Sequence, residues 1–315
     1  GGVILNRVAS DRHEELLREA LGDIGVPVLG MLRRRALAPG GATALPDRAL
    51  GPVPVIHRSL EATRAVRRLG ETVAATVDVE RILRLARSAP DLPQEPWSAA
   101  AETGAGAASD GPRPVIAIAG GYGYPEIGEL AYAAGAEVVA VDPLRDEALP
   151  EGTAGLVIPG GLPEAYADEL AANGGLSASV AQLARSGRPV IAEGAGLVWL
   201  CREFDGQPMC GVLDAAARTA DQLVIGYRAA TAQAASPIGP AGTQVVGYKQ
   251  HRTQVSPRAG TDAAWLWPGG RPEGFVRRGV HASYLTLHWA GHPEIANRLV
   301  AAATADASAE REEAA

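Results

Sequence analysis

One short stretch, Arg188 to Leu200, constrains the fold of this chain more than any other. The apolar run from Pro189 to Ala192 predicts a buried strand, and Gly194-Ala195-Gly196 predicts a sharp turn. The apolar residues from Leu197 to Phe204 predict a helix after the turn. A strand, a tight turn and a helix form an elbow that lifts one side chain to the rim of an α/β sheet. The apex of this elbow is Gly194, which has no side chain.

Two further stretches are expected beside the elbow. Upstream, Leu156 to Ile158 predicts a second buried strand, and Pro159-Gly160-Gly161 predicts a loop whose backbone can approach a ligand closely. Downstream, the residues from Val280 to His288 alternate as a strand does. Strands and helices alternate from Pro114 to the elbow, which predicts an α/β fold with a doubly wound, mostly parallel sheet.

These pieces, in this order, resemble the class I glutamine amidotransferase domain. More closely, they resemble the cobyrinic (or hydrogenobyrinic) acid a,c-diamide synthase family, over a stretch from Gly2 to about Val300. The segments that carry the resemblance best are Gly2-Val-Ile-Leu-Asn-Arg-Val8, Ala192-Glu193, Gly226-Tyr-Arg228 and His281-Ala-Ser-Tyr-Leu285. The resemblance implies ATP- and glutamine-dependent amidation of the corrin a and c carboxylates in cobalamin biosynthesis.

The chain departs from the family's pattern at positions that carry chemistry. The family has Cys where this chain has Gly194, and a catalytic His where it has Thr286. It also has His and Glu where this chain has Tyr248 and Lys249, whereas His251 is retained. In an intact member the thiolate attacks the side-chain amide of glutamine and the imidazole transfers protons. The sequence therefore predicts a degenerate member without glutaminase activity.

The resemblance also assigns the residues around the reacting amide. It implies oxyanion donors at the backbone N–H of Gly161 or Leu162 and at that of Ala195. Glu193, just before the apex, is a candidate acid or base. The remaining candidates for substrate contact or catalysis are Gly160, Glu164, Tyr284, His251 and His288. His288 matches a second histidine of the family's motif, and no metal ligands are predicted.

Composition narrows the classes of partner and compartment. The net charge of −7, with no cluster of Lys and Arg on one face, argues against a nucleic-acid surface. The sequence has no leader at its first residue and no apolar run of the roughly 18 residues that a membrane span needs. Its two cysteines, Cys201 and Cys210, have no metal-ligand spacing and fit core thiols. Together these features predict a cytoplasmic protein.

Lys249 is the only lysine of the chain. A P-loop needs Gly-x-x-x-x-Gly-Lys-Ser/Thr, whereas Lys249 lies in Gly247-Tyr-Lys-Gln-His251, without a glycine cradle. The sequence therefore predicts no nucleotide cofactor in this chain, although the family uses ATP and Mg²⁺ and carries a P-loop near its N-terminus. We expect the chain to begin after that segment. A separate P-loop polypeptide, or a second copy in a homodimer, is then a possible partner.

The predicted organisation has four parts. Residues 1–87 resemble the last part of a dethiobiotin synthetase-like, ATP-binding domain. It is predicted as a βαβ unit, with strands at Val3 to Asn6 and Val26 to Gly30, followed by a helical pattern from Ser59 to Ala86. Residues 88–113, rich in Ala, Gly, Pro and Ser, predict a flexible linker. Residues 114–305 form the amidotransferase-like domain, and 306–315 an acidic tail.

Three functional hypotheses are compatible with the sequence. The first is a degenerate a,c-diamide synthase without a glutaminase or ATP site. The second is a binding module that holds glutamine, a corrin polycarboxylate or a partner chain in the same pocket without turnover. The third is a different hydrolase that uses Ser283 or Glu193. The sequence does not separate the first two.

Overall fold

The computed structural model describes residues 1–34, 60–104, 112–120, 125–160 and 163–313. The chain divides into two compact units, Gly1–Leu50 with Arg58–Pro96 and Gly51–His57 with Trp97–Ala315. Within the described ranges, no helix is both long enough and apolar enough to cross a membrane.

The first unit contains a parallel βαβ arrangement and two more helices. Its elements are β1 (Val3–Val8), α1 (Asp11–Asp23), β2 (Val28–Arg33), α2 (Leu60–Thr76) and α3 (Val79–Arg87). Strands β1 and β2 pair in parallel, which confirms the predicted βαβ unit. The hydroxyl of Ser10 accepts a hydrogen bond from the His13 N–H at 3.2 Å and caps helix α1.

The helical pattern from Ser59 to Ala86 forms two helices, because the helix is interrupted between α2 and α3. The Asp78 N–H donates to the Leu29 carbonyl at 2.7 Å, and the Asp78 carboxylate caps α3 by accepting from the Arg81 N–H at 2.9 Å. Val77 bridges Gly30, where an added Cβ would lie only 2.7 Å from the valine side chain. Contact with β2 therefore interrupts a pattern that is locally helical.

The second unit is a larger α/β domain. Its elements are α4 (Ala99–Thr103), β3 (Val115–Ala119), α5 (Pro125–Ala133), β4 (Glu137–Val141), β5 (Thr153–Ile158), α6 (Pro163–Ala172), α7 (Gly174–Arg185), β6 (Val190–Glu193), α8 (Gly196–Leu200), β7 (Glu203–Phe204), β8 (Gln207–Pro208), β9 (Ala216–Ala232), β10 (Gln244–Ser256), β11 (Trp265–Leu266), β12 (Phe275–Arg277), β13 (Val280–Ser283) and α9 (Glu294–Glu313). Helix α4 lies inside the predicted linker and packs against α5 and α9.

The central sheet of this unit has six strands in the order β12-β13-β6-β5-β3-β4. All neighbours in it are parallel except β12, which runs antiparallel to β13. Apolar clusters cover both faces of the sheet, one around Trp199 and the other around Trp289. This arrangement confirms the predicted mostly parallel, doubly wound sheet.

A second, largely antiparallel sheet is built around the long strands β9 and β10, in the order β10-β9-β7-β8 with β11 also on β9. Val224 and Thr219 of β9 pair with His251 and Thr253 of β10, so four residues of β9 bulge opposite one residue of β10. The second edge of β9 pairs only at its ends, with β7 and β11, among the described strands.

The helix after the elbow ends at Leu200, short of the predicted Phe204, and the chain leaves strand β8 after Pro208. Both differences have one cause. The N–H groups of Cys210, Gly211 and Leu213 donate to the carbonyls of Trp199, Cys201 and Leu200 at 2.8–2.9 Å. These bonds use the carbonyls at the end of α8, and they hold the segment 209–213 against the helix instead of in a sheet.

Candidate active site

The elbow forms as predicted at the end of β6. Gly194 has φ 56°, in the left-handed region that favours glycine, and α8 begins two residues later. An added Cβ on Gly160 would lie 2.8 Å from the Glu193 carbonyl, and one on Gly196 would lie 2.5 Å from the Ile158 carbonyl. Both glycines are therefore needed because the loop after β5 packs directly on the elbow.

The apex faces Thr286. A Cβ built on Gly194 would lie 3.1 Å from Thr286 Oγ1 and would meet no other described heavy atom within 4 Å. Thr286 lies beyond β13, because the strand ends at Ser283 and does not continue to His288 as predicted. Two backbone hydrogen bonds with Tyr248, of 2.8 and 2.9 Å, hold Thr286 in place. The positions at which the resemblance expects a thiol and an imidazole thus face each other, with neither group present.

Glu193 lies directly beneath the apex, and its side chain is almost fully buried, at 1% exposure. Its Oε1 accepts from the Leu287 N–H at 3.3 Å, which ties strand β6 to the residue next to Thr286. Burial raises the pKa of Glu193 to about 8, against the lowering effects of this bond and of the Trp289 indole. The indole contact falls short of hydrogen-bond geometry, since neither Glu193 Oε2 nor Trp289 Nε1 has a partner among the described residues.

Tyr284 and His251, two other candidates, form a buried stack. Their ring centroids are 3.7 Å apart, and their planes are within 8° of parallel. The Tyr284 hydroxyl donates to Thr253 Oγ1 at 2.8 Å, and His251 Nδ1 lies 2.8 Å from the Thr253 carbonyl. Burial lowers the pKa of His251 to about 4, so its ring is neutral at pH 7. Neither residue's described hydrogen bonds reach the apex. His288 is exposed, outside any strand.

A buried polar network beside this stack was not foreseen from the sequence. Glu273, 2% exposed, accepts from Ser283 Oγ at 2.8 Å and from the Tyr284 N–H at 2.9 Å. Lys249, 6% exposed, places its ammonium 4.8 Å from the Trp267 ring centroid. Burial lowers the pKa of Lys249 and raises that of Glu273, and each charge opposes the other's shift. The solitary lysine was the only sequence signal for this network.

Several other predicted residues can now be placed or set aside. Ser283 is fully buried, donates to Glu273 and accepts from the Leu285 N–H, so a hydrolase mechanism through Ser283 has no accessible nucleophile. Burial raises the pKa of Cys201 and of Cys210 to about 12, as expected of core thiols. Gly161, Leu162 and the Glu164 side chain lie outside the described residues. In the part of the chain that is described, no group of three His, Cys, Asp or Glu residues is suited to a metal.

Comparison with known proteins identifies the family. Residues 113–294 match the CobB/CobQ-like glutamine amidotransferase domain. The chain is 51% identical to the hydrogenobyrinate a,c-diamide synthase of Streptomyces coelicolor, over 95% of this chain and 67% of that protein. It is 44% identical to the Thermobifida fusca enzyme of the same name, over 96% of this chain and 65% of that protein.

A more distant relative is named for cobyrinate instead of hydrogenobyrinate. The cobyrinate a,c-diamide synthase of a Synechococcus strain is 34% identical, over 93% of this chain and 64% of that protein. The chain spans about two thirds of the length of these relatives. With its parallel sheet, its elbow and these matches, the chain belongs to the family of hydrogenobyrinate and cobyrinate a,c-diamide synthases, and it contains the family's glutamine amidotransferase domain.

Proposed function

We propose that this chain is a degenerate a,c-diamide synthase that keeps the amidotransferase frame but does not hydrolyse glutamine. The observation that carries the proposal is the apex itself, where Gly194 and Thr286 face each other without a thiol or an imidazole. Covalent hydrolysis of an amide needs an activated nucleophile at this point and a base across from it. A threonine hydroxyl with no base beside it supplies neither.

Among the described residues, Glu193 is the carboxyl group nearest in sequence to the apex, and it does not replace the missing pair in the proposed chemistry. Glu193 is protonated at pH 7 because its pKa lies near 8, and its Oε1 is already engaged with the Leu287 N–H. A neutral, buried carboxyl group is a poor nucleophile and cannot take a proton from water. The role that fits Glu193 is to position the segment that carries Thr286.

A binding role without turnover is the second candidate, and the space at the apex favours it. Among the described residues other than its chain neighbours, Thr286 alone has a heavy atom within 4 Å of the point where a Cβ would stand at position 194. A glutamine side chain held by the proposed donors, the N–H groups of Gly161 or Leu162 and of Ala195, has room to enter without reacting. The acceptor in this proposal is a corrin polycarboxylate, and the partner is a second copy or a separate P-loop polypeptide.

ATP and Mg²⁺, which the family implies, do not fit the described residues. Lys249, the only lysine of the chain, is buried against the rings of Trp267 and Tyr284, at 4.8 and 5.5 Å from their centroids. It is therefore not available to a nucleotide's β and γ phosphates. No step of the proposed function passes through either group.

The proposal is tested by measuring ammonia from the purified chain with excess glutamine. We expect no release above the buffer blank, whereas a thermal shift with glutamine in the same buffer would support the binding role. Ammonia release that depends on the wild-type chain, and that persists after further purification, would refute the loss of glutaminase activity.

A further inference from the structure

A tight hairpin turn joins strands β12 and β13 at the edge of the central sheet. Arg277 pairs with Val280, so Arg278 and Gly279 form a two-residue turn. Their φ angles are 44° and 84°, and positive φ at both residues is the pattern of a type I′ turn. Glycine adopts this conformation readily, and a Cβ on Gly279 would overlap the Gly187 carbonyl. Arg278 is strained, because a residue with a long side chain is disfavoured at positive φ.

The residue type at the first position of this turn is unusual. Asn-Gly and Asp-Gly are the common sequences of type I′ turns, since Asn and Asp tolerate the left-handed region better than Arg does. Residues held in sparsely populated backbone regions cluster at functional sites. An arginine at position 278 therefore points to a role for its side chain that offsets the strain of its backbone.

Arg277 and Arg278 line two clefts beside the hairpin. The larger, of about 680 Å³, also has Leu213 and Phe275 in its wall. The smaller, of about 170 Å³, contains Arg185 from the last turn of α7 together with the same two arginines. We call the two clefts together the arginine cleft. Its volume is within the range of sites that bind small molecules.

The three arginines of this cleft have charges that no neighbour compensates. Arg185, Arg277 and Arg278 are exposed, and their guanidinium groups make no hydrogen bond or ion pair with any described residue. Guanidinium groups bind phosphate through paired, charge-assisted hydrogen bonds. Three such groups around one cleft therefore favour an anionic ligand, and a dianionic phosphate above a single carboxylate.

Two carboxylates in the wall of the larger cleft restrict the choice of anion. Asp214 forms an ion pair with Arg202, so its charge is compensated. Asp262 is exposed and has no ion pair in the described part of the chain. An ionised carboxylate accepts hydrogen bonds and repels a second anion, so Asp262 suits a hydroxyl group. The lining thus fits a ligand with one phosphate and a hydroxyl-bearing body better than a bare polyanion.

The arginine cleft lies at the opposite end of the sheet from the apex. Strands β13 and β6 run parallel, with Val280 beside Val190. Arg278 precedes Val280, whereas Gly194 follows Val190 by four residues, which is about 13 Å along a strand. A ligand in the arginine cleft is therefore separate from any amide at the apex.

We propose that the arginine cleft binds a hydroxyl-bearing phosphate monoester, with its phosphate on Arg277 and Arg278 and a hydroxyl group on Asp262. Sugar phosphates and nucleoside monophosphates share this chemistry. The inference goes beyond the proposed function, because no residue that lines the cleft belongs to the apex and binding here needs no turnover.

The test is a calorimetric titration of the full chain with ribose 5-phosphate and, separately, with adenosine monophosphate. We expect binding of at least one ester and no heat from ribose, which has no phosphate for the arginines. Inorganic phosphate should bind about tenfold more weakly than the tighter ester, since it has no sugar hydroxyl for Asp262. Tighter binding of ribose 5-phosphate would assign the cleft to a sugar phosphate, and tighter binding of adenosine monophosphate to a nucleotide.

Variants of the hairpin separate a ligand role from a structural one. Arg278→Asn should weaken binding of the tighter ester about tenfold, because a hydrogen bond to a charged group is lost. It should melt at the wild-type temperature or above it, since Asn tolerates positive φ better than Arg does. Arg277→Gln should cause a similar loss of binding without a change in the turn. Arg298→Gln is the matched control, because Arg298 is exposed on α9 outside the cleft, and it should bind like the wild type.

Four outcomes would overturn the inference. These are no binding of either ester by the wild type, equal losses in Arg278→Asn and Arg298→Gln, inorganic phosphate binding as tightly as the esters, or a lower melting temperature for Arg278→Asn. The third would mean general attraction of anions, and the fourth would mean that Arg278 serves the fold. The ammonia assay of the proposed function needs no phosphate ester, so either proposal can fail while the other stands.

Discussion

The apex and the buried network beside β10 differ in the side chains that they hold. The apex has Gly194 facing Thr286 at the end of a parallel strand, with neither a thiol nor an imidazole at these two positions. The network has a lysine, a carboxylate and an imidazole, but each is buried and held by neighbours. A search by residue type alone would therefore place the candidate active site at the network and not at the apex. The facing positions 194 and 286 mark the apex, whereas burial explains why the more reactive side chains of the network are structural.

The largest effect should come from removing the cation of the network. Lys249→Met removes the cation that most opposes the raised pKa of the buried Glu273, and removing the charge that compensates a buried carboxylate is strongly destabilising. We expect the free energy of unfolding to fall by about 3 kcal/mol, measured by urea denaturation at pH 7. Arg277→Met, at an exposed position of the same unit, should change it by less than about 0.5 kcal/mol. Equal effects would mean that Ser283 and Tyr284 alone stabilise the carboxylate.

Glu193 connects the two regions, and its titration should be visible in stability. Its folded pKa, about 8, lies above its ordinary value of 4.5, so the folded state holds a proton that the unfolded state has released between these values. Its contribution is present in full below pH 4.5 and is lost as the pH rises through 8. From pH 5 to pH 8 the wild type should lose on the order of 3 kcal/mol more than Glu193→Gln. Parallel pH profiles for the two proteins would contradict this.

Much of the fold could be predicted from local patterns, because the buried strands β3, β5 and β6 are short apolar runs and the elbow has its glycines. The elbow at Gly194 and the parallel sheet are confirmed on that basis. The predicted element ends are wrong where groups far apart in the sequence form hydrogen bonds with each other. Helix α8 ends at Leu200 because residues 210–213 use its terminal carbonyls, and β13 ends where Glu273 captures Ser283 and Tyr284. The periodicity of apolar residues does not reveal such long-range hydrogen bonds.

The family resemblance was the basis for predicting which positions of the site face each other, and no residue spacing indicated it. Positions 194 and 286 are 92 residues apart in the chain, and only the packed sheet brings them together. Glu273 lies in Arg271-Pro-Glu-Gly274, a surface-like segment with no periodicity, so its burial could not be read from its neighbours. The roles of the oxyanion donors remain predictions.

Restoring a thiol and an imidazole at the apex should strongly raise the rate at which the thiol is alkylated. Gly194→Cys alone should have a thiol pKa of about 8.5, and adding Thr286→His should produce a thiolate–imidazolium pair. At pH 6 we expect alkylation to be about a hundredfold faster in the double variant than in the single one. Buried Cys201 should react slowly in both and serves as the internal control.

Cysteine at φ 56° is strained by about 1–2 kcal/mol, so the folded state of both variants should first be verified by thermal denaturation. If both variants are folded and the double variant reacts no faster than Gly194→Cys, the facing geometry of positions 194 and 286 would be wrong.

The smallest effect concerns the order of proteolysis. Arg113 is exposed just before β3, with its guanidinium 4.8 Å from the Tyr132 ring centroid. Because Pro114 follows Arg113 and trypsin does not cleave Arg–Pro bonds, limited trypsin should cut early after Arg87, which is exposed at the end of α3. The cut should leave a fragment from residue 88 that retains both the apex and the network, as mass spectrometry would show. Arg202 provides the internal comparison, because early cleavage there would mean that the elbow is not firmly packed.

The bulge in β9 also bears on how copies of this protein behave when concentrated. The outer edge of a long strand is a template on which foreign strands add, the first step toward fibrils. Between its pairings with β7 and β11, this edge of β9 has no partner among the described strands. The four bulged residues between Thr219 and Val224 interrupt the row of N–H and C=O groups, so an incoming strand finds no long, straight register. The bulge thus makes it harder for strands of other copies to add to this edge of β9.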